Sequence, residues 1–494
     1  MIAMQVGLFF VLNLLPTSII LWLARGLIPE GEAELSGTYF SNAPLVEVAL
    51  ALTLYAFITG WASVVVTSVL DCLFIRWTAA APGLYPTRGL RAALLVYRMT
   101  LMNAIQTRWT WTITGQYLRA LAGLRFPRVG ASECDTMNNL VPEAAAADSQ
   151  VFWSNGCFTN MLDYGARHVT LRQLDMPRNF FSGNNCVAEH GQLPTNFLLG
   201  VATPASDIQF RRQMRSRQGE PITVAGNPPV RFASAPFEAE NAAHALPGFR
   251  LFLTRVLLND FFSIAMLRVV EGLVFTMIFL VLLRLDQHPA VDAVAAFVLT
   301  EFSLILLSVV TKKALVGSEW GKDHATPFWS WRHFAYFFAQ DCFFVWCRGP
   351  MAFGAGTILS NPMLRWMGCR IGKRTIVSQP LQCFDWNAVS FGNDCVVDGL
   401  LQYHTFENMQ LKVKRTHIDD GSTVAFGATV MGGATIERDT TLLPLSLTLK
   451  EMSLLTATYE GSPAEPVSGS MPLVSVLLPR QGSERVDAVR EAAE

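Results

Sequence analysis

The feature that most constrains this chain is a period of six between residues 418 and 446. Ile418, Val424, Val430, Ile436 and Leu442 recur every six positions. Four positions after each comes a small or hydroxyl residue: Ser422, Ala428, Ala434, Thr440 and Ser446. A period of six fits neither a helix nor an alternating strand. It is the repeat of a left-handed parallel β-helix, in which each hexad forms one flat face of a triangular coil. The aliphatic residue points into the prism, and the small residue lets the chain turn the corner. The same phase extends back through Ile371, Val377, Cys383, Val389, Cys395 and Leu401, which places this module at 362–452. Between 401 and 418 the period breaks into an excursion of about sixteen residues. A loop of that length in a repetitive scaffold is usually functional.

Residues 124–203 carry a weaker form of the pattern. Phe181, Val187, Leu193 and Leu199 keep the period, and Gly183-Asn184-Asn185 supplies a corner, whereas the alanine-rich stretch 140–150 fits no coil. Residues 204–245, rich in Pro, Ala and Gly, read as a linker that closes a degenerate β-helical module at 124–245. The polar stretch 453–494 reads as a disordered tail.

The chain is 51% hydrophobic and 16% charged, with mean hydropathy +0.31, and the apolar residues come in blocks. Four blocks are candidate membrane helices: Val6–Leu23, Val48–Leu70, Ile264–Leu283 and Ala293–Thr311. The expected fold is therefore about four transmembrane helices with two left-handed β-helical modules. Spans one and two fall within 1–80 and spans three and four within 246–315. Amphipathic connectors are expected at 81–123 and 316–361. Arg268 and Glu271 read as a local pair, and Glu301 as a helix-packing carboxyl.

Glu30, Glu32 and Glu34 lie between spans one and two, whereas Arg76, Arg88, Arg91 and Arg98 follow span two, and Lys312, Lys313 and Lys322 follow span four. Basic flanks stay in the cytoplasm, so both modules and both termini are expected there. Nine dispersed cysteines without a CxxC pair read as reduced thiols and agree with that side of the membrane. The formal charge of −1 and the lack of a long basic run exclude a nucleic-acid-binding class, and no metal site is expected.

The excursion holds Tyr403, His404, Thr405, Phe406, Glu407 and Asn408. A histidine on a rigid scaffold suits a general base, because its ordinary pKa lies near working pH. Glu407 follows three residues on, and Asp385 precedes by about one coil; either carboxylate could orient the imidazole. His417 reads as a solvated corner residue, and His168, His190, His244, His288, His324 and His333 lack such a context.

Asn361-Pro362-Met363-Leu364-Arg365-Trp366-Met367-Gly368-Cys369-Arg370-Ile371-Gly372, Cys383-Phe384-Asp385 and Leu401-Gln402-Tyr403-His404-Thr405-Phe406-Glu407-Asn408 together carry a resemblance, as do Gly183-Asn184-Asn185 and Leu199-Gly200-Val201. The chain resembles the C-terminal membrane region of nonribosomal peptide synthetases of the ε-poly-L-lysine synthetase type. In that family, transmembrane helices alternate with modules related to hexapeptide-repeat acyltransferases. The resemblance implies a membrane-bound acyl- or aminoacyl-transferase making an amide or ester bond, with His404 as catalytic histidine. It implies a thioester donor, either acyl-CoA or a phosphopantetheinyl carrier. The family form has three modules and six spans. With neither adenylation nor carrier region in this chain, an adenylation–carrier protein acting in trans is expected, and a homo-oligomer could complete a ring of prisms. Placing Leu162-Asp163-Tyr164 beside Leu401-Gln402-Tyr403 puts Gly165 at the His404 position, so the first module is expected to lack the base. The alternative functions are a non-catalytic membrane scaffold for a synthetase and, ranked last, a product exporter using Glu301.

Overall fold

The computed structural model describes residues 43–467, apart from 111, 127–132, 135, 149–150, 155, 190, 206–221, 233–247, 284–288, 318–323, 381–382 and 408–409. The expected span at 6–23 and most of the expected tail lie outside the described residues, as do His190, His244 and His288. The chain divides into two compact units, residues 1–197 with 247–308, and residues 198–246 with 309–494.

In the first unit a long helix α1 (Ala43–Trp77) is followed by strand β1 (Gly83–Pro86) and helices α2 (Leu90–Arg108) and α3 (Ile113–Ala122). Asp260 closes the start of α3, accepting hydrogen bonds from the Ile113 and Thr114 amides at 3.0 and 2.7 Å. These are amides that the helix itself leaves unpaired. Short parallel strands then stack into coils. Glu133–Cys134, Phe152–Trp153 and Phe181–Ser182 form one face, and Met137–Asn138, Cys157–Asn160 and Val187–Glu189 another.

Two expectations for this module are corrected. Ala145–Ala147 is a strand paired with Leu174–Met176, so the alanine run does belong to a coil. At 181 and 187 the inward phase falls one residue later than the hydropathy suggested: Ser182 and Ala188 are fully buried, whereas Phe181, Val187 and Leu193 are half-buried; Leu199 is fully buried, as expected. Ser182 lies in register with the fully buried Trp153, so small and large residues share the interior. Phe152 stacks on Phe181 with ring centroids 4.6 Å apart. A hairpin of β2 (Leu162–Tyr164) and β3 (His168–Leu171) leaves the coil and pairs with β1 in the order β1-β3-β2.

The expected third span is α4 (Leu267–Leu283), preceded by a π-helical stretch Val256–Met266. The fourth is α5 (Pro289–Leu315). Residues Phe249–Leu282 and Val294–Leu315 are long and apolar enough to cross a membrane. Arg268 and Glu271 form the expected local pair at 2.7 Å.

The second unit begins its repeat after strand β4 (His324–Pro327), helix α6 (Trp331–Trp346) and the short helix α7 (Asn361–Trp366). Three parallel sheets form its faces. Ile418 pairs with Ile436, Val424 with Leu442 and Val430 with Thr448, eighteen residues apart in each case. Three hexads thus make one coil, as the period requires. The chain turns at 421, 427, 433, 439, 445 and 451, each with φ between 58° and 86°. The small residues named above follow one position later and are buried inside the corner: Ser422, Ala428, Ala434 and Thr440 are at 0% exposure.

The earlier phase shifts. Ile371 pairs with Phe391 and Val377 with Val397, twenty residues apart, so Val389 and Cys395 are buried but do not continue the inward row. The surplus is taken up where a 3-10 turn, Trp386–Ala388, leads into strand β5 (Val389–Phe391). The excursion is a hairpin of β6 (His404–Glu407) and β7 (Gln410–Val413), with β4 added to its edge, before β8 (Thr416–Ile418) resumes the coil.

The repeat also outlasts its expected end at 452. Ser453–Leu454 and Thr458–Glu460 continue it, and the antiparallel strand Glu465–Pro466 covers the last rung. The expected linker contains a hairpin, Ile222–Ala225 with Val230–Phe232. Its Asn227 amide donates to Ser462 O at 2.6 Å, within the second unit. The extra structure escaped the hydropathy pattern because a capping hairpin needs turn residues rather than a hexad.

Candidate active site

The surplus residues in the first coil place Asp385 immediately before the 3-10 turn, where the Ala388 amide donates to its carbonyl at 2.7 Å. The side chain is 1% exposed and faces two donors. His404, at the start of β6, has Nδ1 2.6 Å from Asp385 Oδ2. Tyr336, on α6, donates its hydroxyl to the same oxygen at 2.8 Å and stands 3.3 Å from His404 Nδ1. Three separate parts of the chain therefore meet at one carboxylate oxygen: the amphipathic helix, the coil and the hairpin. A carboxylate at Nδ1 holds the proton there and leaves the Nε2 lone pair to act as base. His404 retains 19% side-chain exposure, so the imidazole is reachable while its partner is not.

The surroundings are aromatic and dry. Phe384 packs edge-on to Tyr336 with centroids 5.3 Å apart, and Phe406 lies 5.3 Å from the His404 ring. Burial, and then the nearby Asp385 charge, push the Tyr336 phenol well above its ordinary pKa. Tyr336 therefore stays protonated and can only donate to the acid. The Cys383 thiol is pushed up by the same two causes, burial first, and accepts from the Asp385 amide at 3.1 Å. It is an inert packing group rather than a nucleophile. Behind the carboxylate, Lys312 at the end of α5 donates to Phe384 O at 2.6 Å and Met367 O at 3.0 Å.

His404 and Asp385, both singled out from the sequence, are brought together. The Glu407 backbone closes the hairpin opposite Gln410, and its side chain lies outside the described residues. His404 is on a strand rather than a loop. Tyr336 and Lys312 were not anticipated. Tyr336 sits in an aromatic-rich helix with nothing local to mark it, and in the sequence Lys312 marks only the basic flank of a span. His324 pairs with Val413 in the hairpin sheet, and His333 packs against Phe328 and Phe337.

The first module repeats the frame without the chemistry. Pro86 and Pro327 end the equivalent edge strands, and three residues later Gly89 and Ser330 cap α2 and α6. The Arg172 amide donates to Met161 O as the Lys414 amide donates to Tyr403 O. These matches equate Leu162 with His404 and Leu95 with Tyr336, and the 3-10 turn Pro142–Ala144, standing where Trp386–Ala388 does, equates Val141 with Asp385. The expected equivalence of Gly165 with His404 is therefore three residues out. The hairpins differ in length, and only the strand register reveals it. All three counterparts are apolar and buried, with exposures of 6%, 1% and 1%. Close by, Arg98 and Glu143 form a buried ion pair.

No family model and no curated protein matches the chain. Among solved structures it is similar to serine acetyltransferase from Neisseria gonorrhoeae, in complex with serine at 17% identity and without it at 16%. The matches cover 46% and 49% of this chain and 94% of that enzyme, each with a TM-score of 0.19. At that score the likeness carries no argument.

Proposed function

We propose that the second unit is an acyltransferase that moves an acyl or aminoacyl group from a thioester to an amine or hydroxyl, with His404 as general base. The observation that carries this reading is the 2.6 Å contact between His404 Nδ1 and the buried Asp385. His404 Nε2 takes the proton as the acceptor nitrogen or oxygen bonds to the thioester carbonyl carbon. The tetrahedral intermediate then expels the sulfur, the C–S bond breaks, and the proton passes from Nε2 to the departing thiolate. Asp385 holds the imidazole tautomer and offsets the charge it gains. Tyr336 steadies Asp385 from the other side.

The donor is acyl-CoA or a carrier-bound phosphopantetheine thioester, the latter supplied by an adenylation–carrier protein in trans. The protein works at a membrane held by its apolar helices, with the β-helical units on the cytoplasmic side, and a second copy completes the ring of prisms. The apolar counterparts of the triad in the first module favour a structural role for that module within the same enzyme.

The full chain, purified in detergent and offered acyl-CoA or carrier thioesters with amine acceptors, should release free thiol in step with product. His404→Ala should abolish the release while leaving the circular dichroism unchanged. Thiol release by that variant at the parent rate would overturn the assignment.

A further inference from the structure

A groove of about 480 Å³ lies on one face of the second prism, against the last turn of α5. Its floor follows from strand register. Arg370 pairs with Ser390, Ser390 with His417 and His417 with Thr435, while the adjoining Ile371, Phe391, Ile418 and Ile436 point inward. Alternation therefore stacks a cation, a hydroxyl, an imidazole and a second hydroxyl along the outer surface. Ser390 Oγ and His417 Nδ1 stand 2.8 Å apart. Arg415, two residues before His417, and Lys313, on α5, add positive charge to the lining, and Trp366 lies in the wall. Among the described residues, no carboxylate lines the groove. Lys312 also borders it, but its ammonium is turned toward Met367 O and Phe384 O.

We propose that this groove is a binding site for the phosphodiester headgroup of an anionic membrane phospholipid. The cations and hydroxyl donors suit a phosphate oxyanion, and the volume is that of a small-molecule site. The choice of a lipid rests on place. Lys313 lies in the last turn of a helix long and apolar enough to cross a membrane, and Gly317 lies just beyond it; Val310 and Leu315 of that helix are 60% and 45% exposed. Basic residues and a tryptophan at the end of such a helix sit at headgroup depth. The groove is also wired to the triad. Asn387 and Ala388 in its wall belong to the turn that begins at Asp385, so an occupied groove braces the segment that carries the acid.

The test uses the full chain in neutral detergent and does not depend on acyl transfer. Native mass spectrometry should show retention of short-chain phosphatidylglycerol in preference to phosphatidylcholine, with a rise in thermal midpoint for the first lipid alone. Arg370→Gln and Lys313→Gln should each lower phosphatidylglycerol occupancy about fivefold, and the two are measured separately so that misfolding of one leaves the other informative. Equal retention of both lipids, or unchanged occupancy in both variants, would overturn the proposal. Displacement of the lipid by coenzyme A at equal concentration would also overturn it, assigning the groove to a soluble phosphate ligand.

Discussion

Leu162 occupies in the first module the strand position that His404 occupies in the second, opposite Leu171 where His404 faces Val413. One frame thus holds two different interiors: a polar triad around a buried carboxylate, and an apolar cluster.

Leu162→Ala should leave turnover unchanged and reduce stability by about 2–4 kcal/mol, the usual cost of emptying a buried leucine site. Denaturant unfolding and a thiol-release assay on the same preparation separate the two effects. A large loss of turnover with unchanged stability would place chemistry in the first module.

Asp385→Asn should lower turnover by about 10²–10⁴-fold, in the range of general-base removal, while preserving packing. The amide nitrogen or oxygen can still meet Nδ1, but it no longer favours the tautomer with a free Nε2 or balances a charged ring. Steady-state kinetics should show the loss mainly in kcat.

Tyr336→Phe keeps the ring on Phe384 and removes the hydroxyl that donates to Asp385. Stability should fall by about 1–3 kcal/mol, the cost of a hydrogen bond lost from a buried charged acceptor. Turnover should fall less than in Asp385→Asn. A Tyr336→Phe enzyme as impaired as His404→Ala would make the phenol itself a proton carrier.

Burial pushes the Cys395 thiol up to about 11, and the Cys383 and Cys369 thiols rise for the same first cause. Their thiol forms therefore persist at pH 8, and native protein should resist iodoacetamide at these three positions. Unfolding in guanidinium should expose all three to alkylation, read by peptide mass mapping.

Ala428→Leu should cost about 1–3 kcal/mol through overpacking, because Ala428 lies fully buried inside a corner of the coil. Thermal midpoints of Ala428→Leu and of the exposed-site control Phe426→Leu should diverge.

The repeat at 418–446 was legible because one physical requirement, an aliphatic row inside a narrow prism, is written into every sixth residue. Asp385 and His404 were legible as a pair because one coil separates them. Tyr336 was not, since its partner lies 49 residues away and contact at that separation leaves no local period. The phase at 181 and 187 is hidden from hydropathy for a related reason. There the inward residues Ser182 and Ala188 are small, so hydropathy followed Phe181 and Val187 on the outer surface. The hairpin carrying His404 read as a loop because its strands alternate outside the hexad phase.

The left-handed turns at 421, 427, 433, 439, 445 and 451 also make the scaffold's height adjustable. Each eighteen-residue storey closes on itself, and Asp385 and His404 belong to the levels that precede these turns. A lineage or an engineer could delete or duplicate a complete storey above them, shortening or lengthening the column without shifting either residue.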